Sequence, residues 1–309
     1  MSTITRDDVN VDVVVGPNTK SDIEPIATAP RRRTTRALHA LHVGSGWVIV
    51  LIFALPLYIA LAGAFKTNRQ TLDSPLSLPI PFTFDNIARA VTRPDNLVVV
   101  GLMNSIVLTA CTILLIIPLA SALAFYIIER RPRTRAVLLA IFALGLMVPG
   151  QVGIIPVFKL LQFIHLDHTY PGLLLFFLGS GFLSFAVFLY AGFLRTVPRE
   201  IIEAARVDGA SDLRIWWSIM LPVVRPVTAT VAIFVGLWVW NDFLNPLLLI
   251  GPLQGQTITT GLYIGLSGYT KDFAQTYAMT LIASAIPVIA FLFLQKEFIA
   301  GLLSGASKS

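Results

Sequence analysis

Three groups of residues carry side chains able to do chemistry. Glu203-Ala204-Ala205, Asp208-Gly209 and Leu221-Pro222 combine an acid, two small side chains and a helix-ending glycine in one polar stretch. Such a set suits close approach by a partner surface, although a bare Glu-Ala-Ala also occurs in any amphipathic connector. Trp238, Trp240, Asn241, Asp242 and Asn245 place aromatic faces, amides and a carboxylate in one short run, a chemistry suited to a polar ligand bearing hydroxyl groups. The same run precedes Pro246 and fits a structural hinge better, with Asp242 hydrogen-bonded to a neighbouring helix. His165-Leu166-Asp167-His168 pairs two histidines with an acid. A zinc site needs further ligands at suitable spacing, so this group reads as a solvated loop. Cys111 is alone and can form no disulfide within the chain. No Gly-x-x-x-x-Gly-Lys-Ser/Thr stretch is present, so the chain has no P-loop for ATP.

The elements that position these groups follow from composition. Of 309 residues, 55% are hydrophobic and 13% charged, and the mean hydropathy is +0.77. Soluble domains are roughly 45–50% apolar and about 25% charged. So few charges cannot cover a water-facing surface without leaving broad apolar patches, which excludes a conventional soluble enzyme and a disordered chain. The chain reads as an all-α polytopic membrane protein.

Crossing a hydrocarbon core about 30 Å thick takes about 20 apolar residues. Six stretches qualify: 47–65, 98–128, 136–158, 171–194, 227–250 and 277–294. The second is longer than a simple crossing needs and contains Pro118, which predicts tilt or a kink. Residues 1–46 are polar and basic, and Pro17, Pro25 and Pro30 mark the first 30 as disordered. No apolar core near the N-terminus suggests a cleaved signal peptide.

Lys and Arg set the direction. Seventeen of the 23 fall on one side, in the N-terminal segment (Arg31, Arg32, Arg33 and Arg36 among them), residues 129–135, residues 195–226 and the C-terminal tail. Lys66, Arg69, Arg89, Arg93, Lys159 and Lys271 fall on the other. The positive-inside rule then predicts both termini in the cytoplasm. The net charge of +6 is therefore a matter of sidedness, with anionic lipid as its partner and no nucleic acid required.

Residues 195–226 form the long cytoplasmic excursion. Pro198 presets a helix start, Glu200 sits near its positive end, and Gly209 fits its C-terminal cap. Glu203-Ala204-Ala205, three residues, Gly209, nine residues, then Ile219-Met220-Leu221-Pro222 resembles the signature of membrane subunits of binding-protein-dependent ABC importers. From about Trp47 onward the chain is similar to the carbohydrate branch, in particular the smaller six-span subunit of the maltose-type permease.

That resemblance implies a type I ABC importer permease fold in a bacterial inner membrane, with residues 47–295 as the transmembrane domain and a coupling helix at about 198–212. It implies a second, homologous permease, two cytoplasmic ATPase subunits and an extracytoplasmic solute-binding protein as partners. ATP and Mg would be used by the ATPase, and this chain would bind no cofactor and catalyse nothing. Glu203 would make polar contacts with the ATPase, Ala204 and Ala205 would pack in its cleft, Asp208 and Gly209 would close the helix, and Leu221 and Pro222 would brace it. Residues 296–309 resemble a small-residue tail that reaches into the ATPase dimer interface, or else form a frayed end. The outer segment 66–97 and the His165–His168 loop are docking candidates for the binding protein. Two rival readings are an ion-coupled secondary transporter with Asp242 as coupling carboxylate and a membrane-embedded enzyme using His165 and His168.

Overall fold

A computed structural model describes residues 32–251, 256–267 and 272–306. The expected disorder of residues 1–30 lies outside them. The described chain is helical throughout: α1 (Arg32–Ala64), α2 (Asn68–Asp73), α3 (Asp85–Val91), α4 (Leu97–Ile128), α5 (Pro132–Met147), α6 (Ile154–Phe163), α7 (Tyr170–Gly179), α8 (Gly181–Leu194), α9 (Arg199–Val207), α10 (Asp212–Ile215), α11 (Leu221–Val223), α12 (Arg225–Asn241), α13 (Leu244–Leu249), α14 (Ile258–Ser267) and α15 (Phe273–Ala306). A 3-10 turn over Gly150–Gly153 leads into α6, and a π-helical turn over Trp216–Met220 joins α10 to α11. The chain divides at Ala54 into two units; the packing described below belongs to residues 55–309.

Three helical stretches are long and apolar enough to cross a membrane: Val43–Ala64, Leu97–Ile128 and Phe273–Phe293. Three further pairs qualify only if each is one bent span: Pro132–Met147 with Gly150–Phe163 (87°), Tyr170–Gly179 with Gly181–Leu194 (46°), and Asp212–Val223 with Arg225–Asn241 (78°). The expected spans 136–158, 171–194 and 227–250 are each interrupted, the last not at the 78° bend, which lies at Val224, but after Asn241. Pro149 ends α5 because the residue before a proline is driven out of the helical region, and Val148 is extended. Ser180 adopts extended backbone and caps α8. At Asp242 the chain again turns extended, so α12 stops at Asn241 instead of running to Ile250. Helix α1 begins at Arg32, well before the expected Trp47. Helix α4 runs unbroken through Pro118.

The main core joins α4, α7, α8 and α12 through residues such as Ile116, Phe177, Tyr190 and Val231, all with no exposed surface. A second cluster joins the end of α1 to α14, α15 and Trp240. Helix α14, unanticipated from sequence, lies so close to α4 that a Cβ on Gly101 would fall 3.1 Å from Ile258 Cα. By contrast α5 buries no residue, and Val137, Ile141, Leu144 and Met147 stand exposed, as on a face turned to lipid or another subunit.

Candidate functional site

Helix α9 is two-faced. Ile202 and Ala205, three residues apart, point into the main core and are 7% and 8% exposed. Glu203, Ala204, Asp208 and Gly209 are exposed on the opposite face. Ala205 therefore packs against its own chain, which corrects the expectation that both alanines face a partner. Leu221 is half-buried against the core and Pro222 is exposed.

The end of α9 is a Schellman closure. Ala210 N–H donates to Ala205 O and Gly209 N–H to Arg206 O, both at 3.0 Å, the pairing that satisfies carbonyls left over at a helix end. Gly209 has φ +80°, and a Cβ there would meet nothing within 4 Å. Backbone conformation, not space, demands the glycine. Ser211 caps α10 by accepting from Arg214 N–H at 3.4 Å.

Two polar links tie this loop to α4. Arg206 Nη2 lies 3.1 Å from Asp212 Oδ1 and 2.8 Å from Glu129 Oε2. The hydrogen bonds to Asp212 and then Glu129 hold the guanidinium above its ordinary pKa. Glu129 caps the C-terminus of α4, where the helix dipole disfavours an anion; a cation from elsewhere compensates it. That misplaced acid is the sequence signal for this contact, which sequence reasoning missed. Trp216 Nε1 donates to Ser121 Oγ at 3.2 Å, a second missed link. A cavity of 360 Å³ between α9 and residues 129–132 is lined by Glu203, Arg206, Arg130 and Arg199 among others.

The second group separates into two roles. Trp240 is 7% exposed, and its Nε1 donates to Ala283 O at 3.2 Å. Within α15 that carbonyl would ordinarily accept from residue 287, which is proline and has no N–H. Trp240 thus supplies a donor the helix lacks, and it holds α12 against α15. Asn241, Asp242 and Asn245 do line a cleft, together with Trp238, Phe182, Ser180 and Gln151, and its volume is 450 Å³. Asp242 accepts from Asn245 N–H at 3.2 Å and from Asn245 Nδ2 at 2.6 Å, while Thr259 Oγ1 donates to its carbonyl at 2.7 Å. Its carboxylate secures the start of α13, so the hinge lies at 242–243 and not at Pro246.

His165 and His168 adopt positive φ, +56° and +54°. His168 Nδ1 lies 2.9 Å from Ile250 O, and because a carbonyl only accepts, Nδ1 carries the proton. His168 thus pins its loop to the end of α13, which its backbone N–H also reaches at Leu249 O. Among the described residues no three His, Cys, Asp or Glu could hold a metal. In the segment 66–97, Lys66 has no exposed surface, and its Nζ donates to Ser74 O (3.0 Å) and Pro75 O (2.8 Å); burial lowers its pKa. Asn86 ties the same segment to Ala64 O at 2.9 Å, and Arg89 meets Asp272 at 2.6 Å. Residues 296–306 continue α15.

Residues 116–300 match the family described as binding-protein-dependent transport system inner membrane component. The chain is 34% identical over 265 residues to the probable starch degradation products transport system permease protein AmyC of Thermoanaerobacterium thermosulfurigenes, covering 85% of this chain and 94% of that one. It is 31% identical over 280 residues to the diacetylchitobiose uptake system permease protein NgcG of Streptomyces coelicolor, covering 90% of each. Its fold is similar to that of a chain in the crystal structure of a bacterial ABC transporter involved in the import of alginate, with a TM-score of 0.71 at 20% identity over 86% of this chain and 98% of that one.

Proposed function

The chain belongs to the family of binding-protein-dependent transport system inner membrane components, and from that premise we propose that it is a permease subunit of an ATP-driven sugar importer, coupled to its ATPase through α9. One observation carries the coupling role. Helix α9 is rooted in the main core by Ile202 and Ala205 and bonded to the end of α4 through Arg206, while Glu203, Ala204 and Asp208 face outward. A push on the outer face therefore reaches α4 through the core and an ion pair, without deforming the helix.

In this reading six spans cross the membrane and both termini are cytoplasmic. A second permease completes the pathway, two ATPase subunits bind ATP and Mg, and an extracytoplasmic binding protein delivers sugar. Residues 296–309 extend toward the ATPases. Sugar as cargo is supported by relatives named for starch products and diacetylchitobiose. The ion-coupled alternative gains no support, because both Asp242 carboxylate oxygens are engaged by Asn245.

The test is purification of the tagged chain from its native host, followed by reconstitution in liposomes. An ATPase and a second permease should co-purify, and sugar uptake should require ATP and the binding protein. Uptake by this chain alone, driven by a proton gradient, would overturn the reading.

A further inference from the structure

Two of the three bent helix pairs break at one cleft, and the separate interruption between α12 and α13 meets them there. Val148, Pro149, Gly150 and Gln151 come from the turn between α5 and α6, Ser180 and Gly181 from the turn between α7 and α8, and Asn241, Asp242 and Asn245 from the turn between α12 and α13. Each break lies inside a stretch apolar enough to be read as a span. Non-helical backbone at membrane depth is tolerated where it is buried in protein or lines a water-filled cavity. In transporters built from interrupted helices, such breaks gather around the transported molecule. Three breaks meeting at one 450 Å³ space are therefore more than three local accidents of proline and serine.

The chemistry of the lining is specific. One wall is aromatic: Phe182 and Trp238 stack at 5.4 Å, and Trp238 remains 38% exposed. The rim is amide and hydroxyl, from Gln151, Ser180 and Asn241. Gln151 and Asn241 are exposed. Asn245 Oδ1 is buried at the edge with no hydrogen-bond partner among the described residues. Among the described residues no Lys, Arg or His lines the cleft, and the one charged group there is the Asp242 carboxylate. An anionic ligand would find no cation there and would meet a carboxylate, whereas an uncharged ring offers hydroxyls to the amides and C–H faces to the aromatic wall.

We propose that this chain holds a subsite of its own for one uncharged sugar ring, in the cleft where its helix breaks meet, with Gln151 and Asn241 as hydrogen-bonding residues and Trp238 as the apolar wall. The proposal rests on the importer reading and adds to it a direct contact between this subunit and its cargo.

The experiment uses the assembled importer with its binding protein in liposomes. A competing mixture of maltotriose, diacetylchitobiose, raffinose and trigalacturonate is supplied outside, and uptake is read by mass spectrometry. The unmodified importer should take up an uncharged member and exclude trigalacturonate. Gln151→Ala and Asn241→Ala should each lower that uptake about fivefold to tenfold, the effect of one lost polar contact. ATP hydrolysis stimulated by the binding protein should stay within about twofold of normal, since neither residue touches α9. A variant that elutes as aggregate is replaced by Gln151→Glu, which should also depress uptake by adding a second carboxylate. Unchanged uptake in monodisperse variants would overturn the subsite, as would uptake of trigalacturonate or of no uncharged sugar by an importer that hydrolyses ATP. Failure of the importer reading looks different: no ATPase co-purifies.

Discussion

Arg206 Nη2 stands 2.8 Å from Glu129 Oε2, so one guanidinium joins the outward-facing helix α9 to the C-terminal end of α4. The pair is partly exposed, 42% and 19% at the two side chains, and such pairs contribute up to about 1 kcal/mol to stability. If α9 couples to an ATPase as proposed, the pair matters for transmitting force rather than for stability. Arg206→Ala should shift the melting temperature little, yet lower sugar uptake several-fold relative to ATP hydrolysed. Glu129→Arg with Arg206→Glu should recover part of that ratio, whereas a purely local packing role would leave the ratio unchanged in every variant. The measurement is uptake and phosphate release on the same liposomes.

The two alanines of α9 separate into different experiments. Ala205 is 8% exposed in the core, so Ala205→Leu overpacks it and should cost about 1–3 kcal/mol, visible as a lower melting temperature in detergent. Ala204 is exposed, and Ala204→Leu should leave the melting temperature unchanged while weakening capture of the ATPase on an affinity column. Equal loss of stability in both would contradict the orientation of α9.

Gly209 tests backbone strain without crowding. Its φ of +80° meets open space, so a methyl group adds conformational strain of roughly 1–2 kcal/mol and no clash. Gly209→Asn should be milder than Gly209→Ala, because asparagine visits left-handed backbone more readily. Gly209→Val should be the worst of the three, by thermal melting and by uptake per ATP.

Much of this was legible in the sequence, for physical reasons that also mark where legibility stops. The helix ends at Pro198 and Gly209 are local, set by a fixed φ and a positive φ, and hydropathy alone identified the uninterrupted stretch of α4. The interruptions at 148–149, 180 and 242–243 fall inside equally apolar stretches, where hydropathy has no contrast to report. Proline was a usable signal at 149 and a misleading one at 118, since α4 continues through it. Arg206 meeting Glu129, and Trp216 meeting Ser121, are long-range pairings between elements whose relative placement only the fold sets. Trp240 was read by residue type as a sugar platform, and its fold partner gave it a different task.

That task yields a cycle with a definite sign. Pro287 removes the N–H that Ala283 O would accept within α15, and the Trp240 indole N–H fills the vacancy at 3.2 Å. Trp240→Phe keeps an aromatic side chain but leaves a buried carbonyl without a partner, a cost of about 1–3 kcal/mol. Adding Pro287→Ala restores the backbone donor, so the double variant should be more stable than Trp240→Phe alone. The two changes should therefore be non-additive in thermal melts of the purified complex, as coupled sites are. Sugar uptake by Trp240→Phe at a temperature below its melting point should match the unmodified protein, since its ring faces α15. A selective loss of uptake with unaltered stability would return Trp240 to the pathway.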